Sequence, residues 1–229
     1  MKTIIITGAD GNLGTAVTKT FLDEGYNVVA TVIDDAAKNN MQSHPQLDVE
    51  VVNLTNEAGT NAFIEGSIEK YKKIDAALLL VGGFAMGDMA ATSGDELKKM
   101  YALNFETAYF TARPLFKHMK DNGRGRIVFV GTRPALNPAD GKAMIAYGLS
   151  KSLLFTLAGY MNEETKGTNV VTTVVVPSTI DTPVNREAMP KADPAKWVKP
   201  QQLADIMKFI CSDTAEVLRE TVLKVYNNS

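Results

Sequence analysis

Residues 3–14 read TIIITGADGNLG, an apolar β-branched run that ends in a glycine-rich turn. The turn contains Gly8, Gly11 and Gly14, and a segment with apolar residues at helical spacing follows it. In a strand-turn-helix unit, such glycines permit a tight turn, close approach of the backbone to a pyrophosphate and close packing of helix on strand. The helix N-terminus then presents free N–H groups and its positive dipole end to the anion. We interpret the unit as a dinucleotide-binding turn, with a glycine turn that binds no ligand as the alternative.

The rest of the chain repeats this alternation of short β-branched runs and longer helical stretches, which is typical of parallel βαβ units. The predicted strands are Thr3–Thr7, Asn27–Ile33, Asp48–Leu54, Asp75–Val81, Arg126–Gly131, Asn169–Val176 and Thr221–Tyr226. The predicted helices cover residues 12–24, 57–71, 94–120, 143–165 and 200–211, while 35–45 is too short and polar to assign. Several strands are apolar almost throughout, as expected for strands covered on both faces. We therefore predict one α/β domain over residues 1–229, a Rossmann-like doubly wound fold with a seven-stranded, mostly parallel sheet.

The composition argues against several function classes. The 24 basic and 26 acidic residues give a net charge of −2, which supplies no basic field for nucleic acid or an anionic membrane. Cys211 is the single cysteine, so no internal disulfide can form and a reducing compartment fits best. Asp10 leaves no room for a signal peptide, and the apolar tract 76–86 is far shorter than the roughly 20 residues of a spanning helix. His44 and His118 stand without a second ligand at metal spacing, so we expect solvated histidines. We expect a cytoplasmic protein that binds neither nucleic acid, membrane nor metal.

A second motif, Tyr147-Gly148-Leu149-Ser150-Lys151, lies inside a predicted helix. A spacing of four residues puts the phenol and the ammonium group on one helix face. A tyrosine titrates near pH 10, so it can act as an acid or base at neutral pH only if a nearby positive charge favours the phenolate. Lys151 supplies such a charge, which makes the pair a candidate catalytic site. A surface pair without a function is the alternative.

Together these two motifs resemble the short-chain dehydrogenase/reductase family, in which a Tyr-x-x-x-Lys pair follows a glycine-rich first turn at about this distance. The resemblance extends over essentially the whole chain. Val81-Gly82-Gly83 stands where the family has Asn-Asn-Ala-Gly, and Asn104 lies in the helix that carries an active-site asparagine. Thr132 takes the place of the family's serine, while Pro177 and Thr182 match the end of the sixth strand and a cofactor-binding threonine.

The resemblance implies an NAD(P)-dependent oxidoreductase that moves a hydride between the cofactor and a small molecule. Tyr147 would be the acid or base, and Lys151 would lower its pKa and hold the nicotinamide ribose. Thr132 would orient the reacting group, and Asn104 would position a water molecule. The implied cofactor contacts are Gly8, Asp10, Gly11, Asn12, Leu13, Gly14, Val32, Asn53, Leu54, Gly82, Gly83, Tyr147, Lys151, Pro177 and Thr182. A dinucleotide-sensing regulator without turnover is the rival class, but it has no need of the four catalytic residues together.

Two departures from the family pattern concern spacing. The glycines follow Gly-x-x-Gly-x-x-Gly rather than the commoner Gly-x-x-x-Gly-x-Gly. Thr132 stands 15 residues before Tyr147, a wider gap than is usual in the family. We therefore expect an insertion within residues 133–142.

A narrower resemblance lies in residues 181–193, DTPVNREAMPKAD, with Trp197 shortly after. This stretch, Gly82-Gly83-Phe84 and the long loop before the catalytic tyrosine are similar to dihydropteridine reductases. Those are single Rossmann-like domains that dimerise and reduce quinonoid dihydropterin with NADH, so we expect a homodimer or homotetramer here. Animal members lack the hydroxyl and the asparagine that this chain retains as Thr132 and Asn104. A general carbonyl reductase or alcohol dehydrogenase is therefore the alternative.

The end of the second strand bears on the choice between NAD and NADP, because an acidic residue there binds the ribose 2′-hydroxyl and a basic one accepts a 2′-phosphate. Val32 occupies the expected acidic position. Asp34 and Asp35 follow slightly late, and Lys38 is the nearby cation. Repulsion of a 2′-phosphate by the two carboxylates favours NAD, with NADP as the alternative.

Residues 177–200 contain five of the nine prolines together with Met189 and Trp197. A long loop of this kind in a compact domain is usually functional or disordered. We predict a substrate lid that closes over the nicotinamide and a flat substrate. A loop packed permanently on its own domain or on a partner subunit is the alternative.

Overall fold

The computed structural model describes residues 1–228 and contains one seven-stranded sheet, in which all strands are parallel. The strand order is β3-β2-β1-β4-β5-β6-β7. The strands are β1 (Thr3–Thr7), β2 (Asn27–Val32), β3 (Leu47–Val51), β4 (Ala76–Leu79), β5 (Arg124–Val130), β6 (Asn169–Pro177) and β7 (Val222–Val225). The doubly wound fold is confirmed, and the sheet is parallel throughout these strands rather than mostly parallel.

Helices cover both faces of the sheet. They are α1 (Asn12–Asp23), α2 (Asp35–Asn40), α3 (Glu57–Tyr71), α4 (Gly94–Tyr101), α5 (Thr107–Asp121), α6 (Pro138–Gly141), α7 (Ile145–Glu164), α8 (Pro183–Ala188) and α9 (Pro200–Cys211). On one face, Ile64, Leu115 and Leu154 bring α3, α5 and α7 into one apolar cluster with the strands. On the other, Phe21 of α1 and Met207 of α9 belong to a second cluster. Covering both faces explains why the strands are apolar almost throughout.

The chain reverses its direction across the sheet between β1 and its two neighbours. β1 pairs with β2 on one side and with β4 on the other. In open α/β sheets, such a reversal leaves a crevice at the carboxyl ends of the strands, where ligands bind. The segments that follow β1, β4, β5 and β6 therefore form the candidate site.

Two predicted strands, β3 and β4, end two or three residues earlier than expected. β3 ends at Val51 rather than at residue 54, and the Asn53 side chain accepts hydrogen bonds from the backbone N–H and hydroxyl of Thr55. β4 ends at Leu79, since the Thr7 hydroxyl oxygen accepts the next N–H, that of Leu80, at 2.9 Å.

The helix predicted over 94–120 has a wider turn in its middle. Residues 102–106 form a π-helical turn between α4 and α5, and Asn104 lies at its centre. π-turns are rare and occur mostly at functional sites. The polar stretch 35–45, which sequence alone does not assign, begins with α2, whose N-terminus Asp34 caps.

The loop predicted over 177–200, called the lid segment below, is folded rather than irregular. It contains α8 and a 3₁₀ turn at Pro194–Lys196. Trp197 is only 5% exposed, so this side chain is packed inside the protein, while closure of the lid segment over a ligand stays a prediction. Within residues 1–228, no helix is both long and apolar enough to cross a membrane.

Candidate active site

The turn after β1 can be built only with glycine at two of its positions. Gly8 has φ of 64°, a left-handed conformation that side chains disfavour. A β-carbon on Gly14 would overlap the carbonyl oxygen of Gly8 and lie 2.8 Å from the Cα atom of Ala9. Gly11 is less constrained, because its β-carbon would stand 3.3 Å from the same oxygen. Close packing of α1 on the turn therefore depends on Gly14 above all.

The N-terminus of α1 is open toward the crevice. Its cap residue is Gly11, whose carbonyl accepts the N–H of Thr15 at 2.9 Å. The N–H groups of Asn12, Leu13 and Gly14 belong to the first helical turn, which has no intrahelical acceptors to offer them. Such a turn binds a phosphate through N–H groups and the helix dipole. The residues present fit the pyrophosphate of a dinucleotide, and the exposed Asp10 lies beside them.

The glycine turn and the end of β4 are in contact. A β-carbon on Gly8 would lie 3.1 Å from Cγ2 of Val81, and the Thr7 hydroxyl oxygen lies 3.4 Å from the N atom of the same residue. Gly82 and Gly83 follow immediately. The structure therefore brings the predicted phosphate site next to the predicted catalytic groups.

Tyr147 lies in the first turn of α7, beside Thr132 at the end of β5. The Thr132 hydroxyl lies close enough to the Tyr147 phenol to affect its pKa. Burial raises the pKa of Tyr147, and the Thr132 hydroxyl opposes that shift. Thr132 precedes a 3₁₀ turn at Arg133–Ala135. Its side chain forms no capping hydrogen bond with that turn and interacts with Tyr147 instead. The insertion in 133–142 is accommodated by this turn and by α6.

Lys151 follows Tyr147 by one helical turn and is buried. Its Nζ atom donates a hydrogen bond of 2.9 Å to the carbonyl oxygen of Val130, the last residue of β5. Burial lowers the pKa of Lys151 to about 8. The ammonium group is therefore held at the strand end, where a ribose or a phenol oxygen can receive its remaining N–H groups.

The π-turn places the Asn104 side chain against the end of β4. Its Oδ1 atom accepts the N–H of Gly83 at 2.9 Å, and its Nδ2 atom donates to the Gly83 carbonyl at 3.1 Å. A β-carbon on Gly82 would lie 2.7 Å from Oδ1 of Asn104 and 2.9 Å from Nζ of Lys151. Both polar atoms thus face the same small space, which exists because residue 82 is glycine.

The residues predicted at the adenosine end are less exposed than a cofactor contact suggests. Val32 and Leu54 are buried. Asn53 is exposed, but its side-chain oxygen is used by Thr55, and Asp34 accepts the N–H of Ala37 at 2.8 Å as the cap of α2. Each polar side chain here therefore also has a structural role.

On the lid side, Pro177 ends β6 and is buried. Thr182 caps α8, since its hydroxyl oxygen accepts the N–H of Asn185 at 3.2 Å. The hydroxyl proton of Thr182 stays available to a ligand, because the cap uses only a lone pair.

Two residues of the site are absent from the sequence prediction. The Ser150 hydroxyl accepts a hydrogen bond from Nδ2 of Asn104 and donates to the Tyr147 carbonyl, both at 3.0 Å. The Phe84 ring meets the Tyr147 ring edge-on, with centroids 5.1 Å apart. Ser150 was accessible to sequence reasoning, since it follows Tyr147 by three residues and shares its helix face. Phe84 was not, because its loop approaches α7 only through tertiary contacts such as the bond from the N–H of Gly87 to the Ala143 carbonyl.

Comparison with known proteins agrees with this geometry. The family model described as short chain dehydrogenase matches residues 2–193. The chain therefore belongs to the short-chain dehydrogenase/reductase family. It is an oxidoreductase that depends on NAD(P), as the sequence predicts.

Individual relatives are distant. An uncharacterized oxidoreductase YvrD of Bacillus subtilis is 29% identical over 182 residues, which cover 77% of this chain and 67% of that protein. A dihydropteridine reductase of Dictyostelium discoideum is 28% identical over 211 residues, which cover 89% and 85%. Among solved structures, ElxO with NADP bound has a TM-score of 0.90 at 20% identity, covering 98% of this chain and 96% of that one. The structure of gox2181 has a TM-score of 0.88 at 19% identity, covering 98% and 93%. At such identities the structural likeness shows the fold alone.

Proposed function

We propose that this protein is a reductase in which Tyr147 donates the proton that accompanies hydride transfer. The observation that carries the proposal is the grouping of Tyr147, Thr132 and Lys151 at the crevice, next to a helix N-terminus suited to phosphate. Because burial raises the pKa of Tyr147, the phenol is protonated at neutral pH and is able to donate a proton. When bound, NAD(P)H supplies the hydride.

Thr132 and Tyr147 would present two hydroxyl groups to one substrate atom. The closeness of the Thr132 hydroxyl to the Tyr147 phenol supports this role, because two neighbouring hydroxyl groups can donate to a single acceptor atom. Lys151 would hold the nicotinamide ribose and lower the pKa of the tyrosine when charged. Its hydrogen bond to the Val130 carbonyl fixes the direction from which the charge acts.

Asn104 would hold a water molecule between itself and Lys151. The proposal rests on the space beside Gly82, which Oδ1 of the asparagine and Nζ of the lysine both face. Such a water could return a proton to the lysine and tyrosine after each turnover. Ser150 would keep the asparagine amide from rotating, because it occupies one Nδ2 hydrogen.

We further propose NAD rather than NADP as the preferred cofactor. The pyrophosphate would rest on the N–H groups of residues 12–14, and the adenosine would reach the ends of β2 and β3. Asp34 and Asp35 place two carboxylates beyond Val32, at the end of β2, and these would repel a 2′-phosphate. The cap bond from Ala37 holds the Asp34 carboxylate in place.

For the substrate, we propose a flat heterocycle of the dihydropterin type. The Phe84 side chain supports this choice, since it is 62% exposed and borders the Tyr147 ring. An exposed aromatic ring beside the proton donor is suited to stack on a planar substrate. The similarity to a dihydropteridine reductase over 89% of the chain points the same way. A general carbonyl reductase is the second candidate, because Thr132 and Asn104 together suit carbonyl chemistry.

A substrate panel tests these proposals. Quinonoid dihydropterin, aldehydes, ketones and secondary alcohols are each assayed with NAD(H) and with NADP(H). We expect dihydropterin with NADH to give the highest kcat/KM. The Phe84→Leu substitution should lower the kcat/KM of dihydropterin about tenfold and leave the kcat/KM of small aldehydes nearly unchanged. Rapid turnover of carbonyls alone would reject the pterin proposal and favour the second candidate.

The proposed assembly is a homodimer or homotetramer. Leu149, Leu153 and Tyr160 are exposed on one face of α7, the spacing expected of an apolar stripe. Light scattering of the wild type and of Leu153→Glu tests this assembly. We expect the substitution to lower the fraction of oligomer in favour of monomer. A monomeric wild type would contradict the proposal.

A further inference from the structure

Two residues after β7 connect the lid segment with the end of β6 and with the loop that follows Thr132. Tyr226 is fixed to the sheet edge, since its carbonyl oxygen accepts the Ser178 hydroxyl at 2.7 Å. Its ring lies under the guanidinium group of Arg133, with Cζ 5.8 Å from the centroid. Tyr226 therefore contacts the residues that directly follow both Pro177 and Thr132.

The next residue, Asn227, reaches the returning end of the lid segment. Its Nδ2 atom donates to the carbonyl oxygen of Trp197 at 2.9 Å and to that of Ala195 at 3.4 Å. The backbone of Asn227 has φ of 53°, a left-handed conformation that asparagine tolerates better than most residues. The amide can reach both carbonyls because the chain turns in this way.

At the base of the lid segment, backbone hydrogen bonds join its two ends directly. The N–H of Val198 donates to the Thr179 carbonyl at 2.9 Å, and the N–H of Asp181 donates to the Val198 carbonyl at 2.8 Å. Between these points, α8 is stabilised by a two-bond ion pair of Arg186 with Asp181, at 2.6 and 2.9 Å. The part that returns from α8 to the base, residues 189–197, carries only short turns of its own.

We propose that Asn227 is a positioning residue for the lid segment. Its side-chain amide fixes the carbonyls of the returning end, and Tyr226 ties this fixed point to the loop of Thr132. The lid segment and the loop that follows Thr132 are thereby both held by residues 226 and 227. When the lid closes, this shared contact keeps it at a fixed position relative to Thr132 and Tyr147. This inference rests on the proposed role of the segment as a cover over the substrate.

Two substitutions separate the side-chain amide from the backbone turn. Asn227→Gly removes the amide and keeps the left-handed backbone accessible. Asn227→Asp keeps the shape and loses the N–H donor. Asn228→Ala, at the exposed neighbouring position, is the matched control.

Hydrogen exchange of the protein without ligands measures the anchor directly. We expect the amides of residues 195–198 to exchange roughly tenfold faster in both Asn227 variants, the effect of losing one well-formed hydrogen bond, and to stay unchanged in Asn228→Ala. Unchanged exchange in Asn227→Asp would overturn the proposal, because the side-chain N–H donor would then not contribute to holding residues 195–198. This readout needs no turnover, so it stands even if the proposed reaction is wrong.

Steady-state kinetics with the best substrate of the panel tests the positioning role. We expect both Asn227 variants to raise the KM of that substrate about three- to tenfold, with kcat and its pH profile unchanged, since the proton donor itself is untouched. Faster exchange with an unchanged KM would show a purely structural contact and overturn the positioning role.

Discussion

The glycine turn of residues 8–14 and the lid segment border the same crevice but owe their shapes to different causes. The turn is fixed by atoms of its own few residues, because a β-carbon on Gly14 would overlap the Gly8 carbonyl. The lid segment is held at its base by a hydrogen bond between two of its own residues, Val198 and Thr179, and by Asn227, which lies outside the segment. The proposed cofactor end of the site is therefore set by local sterics, and the proposed substrate end depends in part on a contact from outside its own segment.

This difference explains how one fold can keep a cofactor and change its substrate. The turn has no room for side-chain variation at Gly14, whereas Val184 in the lid segment is 64% exposed and Met189 also reaches the surface. A substitution at Gly14 has to move backbone, whereas one at the exposed Val184 changes only the surface of the lid segment. The predictions below test this contrast.

The largest effect is expected for Gly14→Ala. Even a methyl group would force α1 away from the turn, so we expect NADH affinity to fall at least about 100-fold, together with a loss of stability. Titration of NADH by fluorescence and thermal unfolding measure the two effects. Gly66→Ala in α3, where a β-carbon meets nothing within 4 Å, should leave binding unchanged and stabilise slightly. Wild-type NADH affinity in a folded Gly14→Ala variant would show that the turn is not the phosphate site.

Lys151→Met should separate stability from activity. Burial lowers the pKa of Lys151 from 10.5 to about 8, so between these values the unfolded chain binds more protons and stability rises with pH. Below pH 8 the folded protein carries the full cost of burying the charge, roughly 3 kcal/mol. Methionine removes this cost and leaves the Val130 carbonyl without its donor, which costs about 1–3 kcal/mol.

We therefore expect Lys151→Met to raise the free energy of unfolding by up to about 2 kcal/mol at neutral pH, and to be less stable than the wild type by about 1–3 kcal/mol as the pH approaches 10.5, where the wild-type lysine is neutral but still donates to Val130. Turnover should fall at least about 100-fold. Denaturant titrations from neutral to alkaline pH measure the first effect, with the exposed Lys99→Met as control. A variant that is less stable than the wild type at neutral pH would refute the buried-charge argument.

Binding of cofactor and a substrate analogue should slow hydrogen exchange in the middle of the lid segment, residues 182–193, about tenfold. The amides of Asp181 and Val198 should change little, since they are already bonded across the base. Equal exchange in 182–193 with and without both ligands would mean that the segment is packed permanently, the alternative to a closing lid.

The smallest effect concerns cofactor choice. We expect NADH to bind about tenfold more tightly than NADPH, and Asp34→Ser to narrow that ratio several-fold by removing one charge while keeping a cap for α2. Asp23→Asn, at the far end of α1, is the charge-matched control. A preference of the wild type for NADPH would reverse the assignment.

Sequence reasoning succeeded where the determining contacts are local. The bounds of β1, α3 and α9 follow from apolar runs and helical spacing, and the number of strands follows from the count of β-branched runs. The pairing of Tyr147 with Lys151 was accessible for the same reason, because the two residues are neighbours on one helix.

Sequence reasoning did not reveal the features that depend on tertiary contacts. The burial of Trp197 depends on packing of the returning lid segment, which proline content does not reveal. The π-turn at Asn104 arises where the helix meets the Gly83 backbone, and no periodicity in the sequence marks it. Phe84 became part of the site only when its loop was seen to lie against α7.

The central claim, that Tyr147 donates the proton, is tested most directly by the single-turnover rate of NADH oxidation in Tyr147→Phe. The enzyme is saturated with NADH and mixed with the best substrate of the panel, and Tyr160→Phe, an exposed position on the same helix, serves as control. We predict a rate at least about 100-fold below wild type in Tyr147→Phe with NADH affinity retained, and a wild-type rate in Tyr160→Phe. A Tyr147→Phe rate within about twofold of wild type would contradict the account, because the proton would then come from another group.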